Sequence, residues 1–465
     1  MAPKFGTSGL RGLVVELTPE LVQAYTTAFL ASCPIGTGLF VGADLRPSSP
    51  RIAGDVIAAA RRAGVAVTDC GALPTPALAL AAMSAGAAAI MVTGSHIPAD
   101  RNGLKFYLPS GEISKQDEIA IGAAYGAGAA PGDGPEGSLS ARPEAAQAYV
   151  ARYADAYGAQ ALAGLRLGVY QHSSVARDLL VAVLAALGAT PILLAPSDTF
   201  IPVDTEAVDV QTRSMLAQWC VDHQLDAILS TDGDADRPML TDATGQVVPG
   251  DVLGVLAAQA LGAQIVCTPV SSNSMVSEIP AFDAVYLTKI GSPFVIAAME
   301  AALSAQPDAK VVGFEANGGF LLGFAAQGPV GPLAALMTRD AFLPMLAPLV
   351  AARAAGVSLA EMAAGLPARF TASDRLTEIP TERSAAFLAR LDGNAADCAA
   401  FLAPIGTLAA CDRTDGLRLM LVDGRVVHLR PSGNAPEFRV YTEAQTAAEA
   451  AALLDAALTL VRAAL

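Results

Sequence analysis

Ala87-Ala88-Ala89-Ile90-Met91-Val92-Thr93-Gly94-Ser95-His96-Ile97-Pro98 passes from an apolar run into a loop bounded by glycine and proline. The small-to-branched run reads as a buried strand, and Ser95 then stands just past its carboxyl end, where open α/β sheets place their chemistry. A serine between glycine and histidine, in a loop that cannot be helical, can be an exposed nucleophile or phosphoryl carrier. It can equally be a turn in which the hydroxyl bonds its own backbone. Asn102-Gly103-Leu104-Lys105-Phe106 follows closely.

Working outward, the chain repeats a pattern. A strand at 38–41, a polar loop at 44–49, a helix to Ala63, Gly64 as its stop and a strand at 65–68 make a βαβ unit. The pattern returns as a strand at 165–170, the loop His172-Ser173-Ser174, a helix to Leu187, Gly188 and a strand at 191–194. A third unit begins near Asp251, with a helix toward Leu261 and a strand at 265–268. Gly291-Ser292-Pro293 opens a further helix, and a strand at 310–313 ends the unit. The near-equal spacing predicts three doubly wound α/β domains with mixed, mostly parallel sheets.

Beyond Arg369 the pattern changes. Residues 417–422 and 425–429 flank Asp423-Gly424, a two-residue hairpin signal, and an alanine-rich helix closes the chain from about Thr446, which predicts an α+β domain. The glycine- and proline-rich stretch 126–143 reads as a loop leading to a boundary. The domain bounds are therefore set at 1–142, 143–250, 251–368 and 369–465.

The totals exclude several classes. The hydrophobic fraction is 53% and the aromatic fraction 5%, a globular composition with alanine-rich helices. A net charge of −15 repels nucleic acid and anionic membrane, so neither is expected as a partner. Cysteines at 33, 70, 220, 267, 398 and 411 form no Cys-x-x-Cys pair, which points to reduced thiols in a cytoplasm rather than to zinc or disulfides. No apolar run opens the chain, so no signal peptide is expected. The uncharged stretches 77–92 and 252–270 each read as a buried helix plus strand, not as membrane spans.

Asp232-Gly233-Asp234-Ala235-Asp236-Arg237 follows the apolar run 227–229. Three carboxylates at alternate positions repel one another unless a cation lies between them, and hard oxygen ligands select Mg²⁺ or Ca²⁺. A calcium loop of the EF-hand type needs glycine where Arg237 stands and glutamate where Ala243 stands, so that reading fails. An arginine next to metal ligands suggests a phosphate touching both.

Three further segments carry polar groups in loops. Gly6-Thr7-Ser8-Gly9-Leu10-Arg11-Gly12 sets a cation among small residues, which suits an anion contact or a hairpin leader. Gly313-Phe314-Glu315-Ala316-Asn317-Gly318-Gly319 ends a strand with groups that fit paired sugar hydroxyls, or makes a plain turn. Arg430-Pro431-Ser432-Gly433-Asn434-Ala435-Pro436-Glu437-Phe438-Arg439 follows the hairpin and offers a phosphate cradle, or an edge-strand turn. A serine loop, an acidic metal loop, a polyol reader and a phosphate cradle are together what phosphoryl transfer on a phosphosugar needs.

In the order and approximate spacing of these five segments, the whole chain resembles the α-D-phosphohexomutase family. The resemblance implies four domains around a central cleft, with Ser95 as phosphoserine and one Mg²⁺ per chain held by Ser95, Asp232, Asp234 and Asp236. It gives Lys105 as general acid/base if burial and neighbouring cations lower its pKa, with His96 assisting and Arg11 and Arg237 offsetting developing charge. Lys289, Glu315, Asn317, Arg430, Ser432, Gly433, Asn434 and Arg439 are the implied substrate-binding residues. Ser95 would pass its phosphoryl group to a hexose phosphate through a hexose 1,6-bisphosphate, which also serves as activator.

Gly319 stands where many members have histidine, and Ile97, Ala235, Asn317, Asn434 and Ala435 also depart from the common pattern. None of these changes removes a metal ligand, the nucleophile or Lys105. The Glu-Ala-Asn-Gly-Gly and Ser-Gly-Asn-Ala-Pro variants are similar to bacterial phosphomannomutases, which makes mannose 1-phosphate and mannose 6-phosphate the first expected substrates. Phosphoglucomutase or dual activity, phosphoglucosamine mutase, a phosphatase and a non-catalytic sugar-phosphate binder are the alternatives. A monomer or homodimer is expected.

Overall fold

Every residue of the strand Ala88–Val92 is buried. It pairs in parallel with Leu39–Ala43 on one side and antiparallel with Arg101–Leu108 on the other. The computed structural model describes residues 3–6, 9–130, 134–431 and 437–465. Outward from Leu39–Ala43 the sheet continues in parallel to Val67–Ala72, and outward from Arg101–Leu108 it continues antiparallel to Leu10–Leu13.

The next two sheets repeat this order. In one, Thr190–Pro196, Arg166–His172 and Ala227–Thr231 are parallel, and Pro238–Thr241 and Val247–Val248 return antiparallel. In the other, Ala284–Thr288, Ile265–Pro269 and Val311–Phe314 are parallel, and Phe320–Leu322 and Leu336–Asp340 are antiparallel. In chain order, each unit therefore runs second, first, third, fourth across its sheet. The sheets are mixed as expected. The antiparallel half is larger than the βαβ pattern alone suggests, because the fourth strand returns through a tight turn instead of a crossover helix.

That turn from third to fourth strand is the same joint in all three units. It carries Ser95 in the first, Asp232 to Arg237 in the second and Glu315 to Gly319 in the third. Each turn reverses the chain with one residue at positive φ: Ser95 at 54°, Ala235 at 59° and Gly318 at 85°. Two of these are not glycine, and such backbone costs about 1–3 kcal/mol and persists only where the surroundings over-determine it.

The fourth sheet is antiparallel throughout, in the order Phe370–Leu376, Phe438–Ala444, Val426–Pro431, Leu417–Leu421, Leu408–Asp412. Helix Ala447–Ala464, capped by Thr446, packs Leu453, Ala457 and Val461 into this unit's core. The stretches 77–92 and 252–270 resolve into helix and buried strand, as their composition suggests. Among the described residues, no helix is long and apolar enough to cross a membrane.

One reading needs adjustment. The stretch 126–143 is not all loop, since Leu139–Ala141 adds a strand in parallel to Val67–Ala72; three exposed residues on a sheet edge leave no periodic signal. The hairpin reading of the first segment holds: Lys4–Phe5 pairs with Leu10–Leu13, which joins it to the first sheet.

Candidate active site

The serine loop is fixed from below by one arginine. Arg46 is 1% exposed and donates through Nη2 to the carbonyls of Ser95 (2.8 Å) and Ile97 (2.6 Å). Through Nη1 it donates to Pro98 (2.7 Å) and Arg101 (3.1 Å), and through Nε to Asp44 Oδ2 (3.1 Å). Phe200, from the second unit, covers the guanidinium at 4.0 Å. Thr93 Oγ1 accepts the Ser95 amide at 2.7 Å. The side chain is thereby aimed, and Ser95 Oγ donates to Asp232 Oδ2 at 2.6 Å with His96 Nδ1 at 3.4 Å.

Asp232, Asp234 and Asp236 are fully buried and present carboxylate oxygens within 4.8 Å of one another. Asp232 has both oxygens occupied, Oδ2 by Ser95 Oγ and Oδ1 by the Arg237 amide at 3.3 Å, whereas Asp234 and Asp236 each have one. Asp234 Oδ2 takes the Thr75 hydroxyl (2.5 Å) and Lys105 Nζ (2.6 Å), and Asp236 Oδ2 takes Lys105 Nζ (2.5 Å) and Arg339 Nη2 (2.7 Å). The other oxygens of Asp234 and Asp236 are buried without a hydrogen-bond partner.

Burial, then the neighbouring carboxylates Asp234 and Asp236, push Asp232 well above the usual carboxylate range. For Asp236, burial acts upward, but Arg339 and Lys105 outweigh it and hold the group low. Two orphaned buried oxygens beside a third, crowded carboxylate are the donor set of a hard divalent cation. These residues fit a metal.

Cations gather round this group. Arg11, on Leu10–Leu13, is lowered to about 10 by burial and by Arg237 and Arg339. Arg237 lies 3.8 Å from Asp236, whose charge with that of Asp232 overcomes burial and raises its pKa. His96 is driven well below its usual value by burial, then by Arg237 and Arg11, and is therefore neutral near pH 7. Buried guanidinium groups gathered in a wall that also holds a serine hydroxyl suit an anionic ligand.

The groups around Lys105 are mixed. Its ammonium is held by two carboxylates rather than pressed by cations alone, so the expected crowding by positive neighbours is not its main environment.

On the third loop, Glu315 is buried and takes Arg339 Nη1 at 3.4 Å. Asn317 Oδ1 accepts the Gly319 amide at 3.0 Å, so its side-chain carbonyl closes the turn. A second group lies on the fourth unit. Arg430 and Arg439 are cross-strand partners, Arg430 pairs with Asp415 at 2.9 Å, and Asp415 also accepts the amide of Ile290, next to Lys289. Lys289 is exposed, its ammonium 5.9 Å from the Phe294 ring. Ser432, Gly433 and Asn434 lie outside the described residues, as do Thr7 and Ser8.

Sequence reasoning missed Arg46, Thr75, Arg339, Asp415 and the segment that bridges the units. Phe200 covers Arg46, Thr205 Oγ1 reaches the Asn317 carbonyl at 3.4 Å, and Glu206 lies within electrostatic reach of Arg237 and Arg439. Burial, then Asp204, raise the Glu206 carboxyl. One signal was available: Asp44 and Arg46 are charges at the carboxyl end of a strand that is otherwise wholly apolar.

The chain is similar to known proteins over almost its whole length. Residues 2–130 match the family description phosphoglucomutase/phosphomannomutase, alpha/beta/alpha domain I, residues 249–370 match its alpha/beta/alpha domain III, and residues 376–460 match its C-terminal domain. The chain is 45% identical over 454 residues to a phosphomannomutase of Sinorhizobium fredii, an alignment covering 96% of this chain and 95% of that one. It is 43% identical over 465 residues to a phosphomannomutase of Salmonella muenchen, covering 98% and 95%. The fold is similar to that of a phosphoglucomutase/phosphomannomutase family protein of Burkholderia thailandensis, with a TM-score of 0.76, 23% identity and coverage of 98% and 97%. With three family domains matched in order and two relatives aligned almost end to end, the chain belongs to the α-D-phosphohexomutase family of phosphoglucomutases and phosphomannomutases, enzymes of the isomerase class.

Proposed function

We propose that the protein is a phosphomannomutase that interconverts mannose 1-phosphate and mannose 6-phosphate through a phosphoserine at Ser95. The observation that carries the chemistry is the Ser95 hydroxyl, 2.6 Å from Asp232 and beside two carboxylates that each keep an unpartnered oxygen. The two phosphomannomutase relatives support the choice of sugar. We take the chain as four domains with bounds at 1–142, 143–250, 251–368 and 369–465, a division supported by one large sheet within each span, and its place of work as the cytoplasm.

Asp232, Asp234 and Asp236, with Ser95, would hold one Mg²⁺ per chain, which when bound draws charge from phosphoryl oxygens. The chain's own residues do the rest. In the first half-reaction the bond between Ser95 Oγ and phosphorus breaks and a bond from phosphorus to a free sugar hydroxyl forms. The hydroxyl's proton passes through a base in the wall to the departing Ser95 Oγ; neutral His96, whose Nδ1 is 3.4 Å from Ser95 Oγ, supports that role, and Lys105 serves once its own proton has gone to Asp234 or Asp236, which hold its Nζ. Arg11 and Arg237 face charge that develops on the transferring group.

The hexose 1,6-bisphosphate then reverses end for end and returns its other phosphate to Ser95. A trace of the same bisphosphate primes the unphosphorylated enzyme. Glu315 and the Asn317 amide read the sugar, while Arg430, Arg439 and Lys289, with Ser432, Gly433 and Asn434, hold the phosphate that does not react. All of these groups come from one chain, so monomer and homodimer are equally competent.

The test is ³¹P NMR of the protein with Mg²⁺ and a trace of glucose 1,6-bisphosphate, offered mannose 1-phosphate and glucose 1-phosphate separately. Conversion of mannose 1-phosphate to the 6-phosphate, lost in Ser95→Ala, is expected. Faster turnover of glucose 1-phosphate would replace the substrate assignment, and no isomerisation of either sugar by protein carrying phospho-Ser95 would overturn the activity.

A further inference from the structure

Arg339 lies outside every motif of the sequence, on the last strand of the third sheet, and is 3% exposed. Its guanidinium meets a carboxylate from each of the three α/β units. Nη2 is 2.7 Å from Asp236 Oδ2, Nη1 is 3.4 Å from Glu315 Oε1, and Nε is 3.9 Å from Glu112 Oε1. Glu112 is itself held by Ser292 Oγ (2.8 Å) and Thr338 Oγ1 (2.9 Å) from the third unit.

The path of this side chain depends on Gly319. A Cβ at 319 would stand 2.8 Å from Arg339 Cδ and 2.9 Å from Cγ, so the arginine reaches the cleft through the space a side chain at 319 would fill. Its arrival decides how Asp236 is used. With Lys105 and Arg339 both on Oδ2, the buried Oδ1 is the oxygen left without a hydrogen bond, its nearest cation Arg237 Nε at 3.8 Å.

We propose that Arg339 is a positioning residue, admitted by Gly319, that fixes the carboxylates of Asp236 and Glu315 relative to each other and so sets the distance between the phosphoryl-transfer loop and the sugar-reading loop. The inference rests on the reading of Asp236 as a metal ligand and Glu315 as a sugar reader. A planar fork can hold two carboxylates in fixed directions, whereas the single ammonium of lysine keeps the charge but not the geometry.

The full chain is compared with Arg339→Ala, Arg339→Lys, Gly319→Ala and the double variant Gly319→Ala/Arg339→Ala. Mn²⁺ binding is followed by electron paramagnetic resonance, turnover of mannose 1-phosphate by kcat and KM, and folding by thermal melting. Arg339→Ala removes a positive charge beside Asp236 and is expected to tighten Mn²⁺ binding about fivefold while kcat falls about 30-fold. Arg339→Lys is expected to bind Mn²⁺ within about twofold of wild type yet lose about tenfold in kcat, a split that a merely structural role would not produce. Gly319→Ala is expected to lose about tenfold in kcat alone and about threefold or less in the Arg339→Ala background, because the side chain it displaces is already gone and only the Asp236 carbonyl, 3.1 Å from the new Cβ, is left to give.

Arg339→Lys with kcat within about threefold of wild type, or losses at 319 and 339 that simply multiply, would overturn the proposal. If Arg339→Ala does not fold, Arg339→Lys decides by the same criterion. If wild type turns over no hexose phosphate, the functional reading falls, and unchanged Mn²⁺ affinity in a folded Arg339→Ala would separately remove the link to Asp236.

Discussion

Replacing Arg46 by lysine tests whether the serine loop is held in shape from beneath. The guanidinium serves four carbonyls of one loop, those of Ser95, Ile97, Pro98 and Arg101, and one carboxylate, Asp44. An ammonium has three hydrogens and must keep one on Asp44, so at most two of the four carbonyls stay bonded. Two lost hydrogen bonds to a charged donor, at about 1.5–3 kcal/mol each, give about 3–6 kcal/mol before relaxation. If water and loop adjustment recover half, about 1.5–3 kcal/mol remains as a bias away from the conformation that keeps Ser95 at a φ of 54°. That bias corresponds to a fall in kcat of about 10–150-fold at roughly 1.4 kcal/mol per factor of ten. The assay is turnover of mannose 1-phosphate, with the phosphoryl content of Ser95 read by intact mass and folding by thermal melting. KM is expected to change little, since no sugar-reading residue is touched. A folded Arg46→Lys protein with kcat within threefold of wild type would refute the reasoning.

Gly233→Ala would place a Cβ 2.8 Å from the Ser95 carbonyl and 2.9 Å from Phe200 Cζ, so kcat should drop about 10–100-fold while the melting temperature moves little. Chelation should abolish turnover, and Mg²⁺ should raise the melting temperature of wild type but not of Asp234→Asn; an equal rise in both would remove Asp234 from the metal site. Histidines 172 and 428 are buried and lowered from 6.5 to about 4, first by burial. Depressed bases of this kind stabilise the fold above pH 6.5, and that stability is lost as pH falls toward 4, by up to about 3 kcal/mol for each. Denaturant unfolding at pH 7.5 and 5.0 should show the loss, and His428→Gln should reduce it; an identical pH dependence in the variant would exclude His428 as a source.

The three site loops were legible because each follows a short buried strand and packs glycine, serine or acidic residues into a few positions. The strands themselves were found within a few residues, since runs such as 227–229 and 88–92 are apolar on both faces. The side chains that hold those loops in place were not legible. Arg46 acts on carbonyls some fifty residues away in the chain, Thr75 donates to Asp234, and Arg339 joins Glu112, Asp236 and Glu315. Each is an ordinary polar residue in its local sequence, and only the folded arrangement gives it partners. The antiparallel share of the sheets was hidden for a related reason: a returning strand such as Phe320–Leu322 is three residues long and carries no period of its own.

Ser95, the three aspartates and Glu315 each occupy the same joint of three like-ordered sheets. On the function proposed above, such a plan divides the labour of one reaction among three turns, each free to vary while the strands beneath keep the frame. Substrate range can then change at the third turn without disturbing the covalent chemistry at the first. A laboratory wishing to redirect this protein to another hexose phosphate would accordingly recombine the turn at 315–319 together with Arg339 and leave the Ser95 turn untouched.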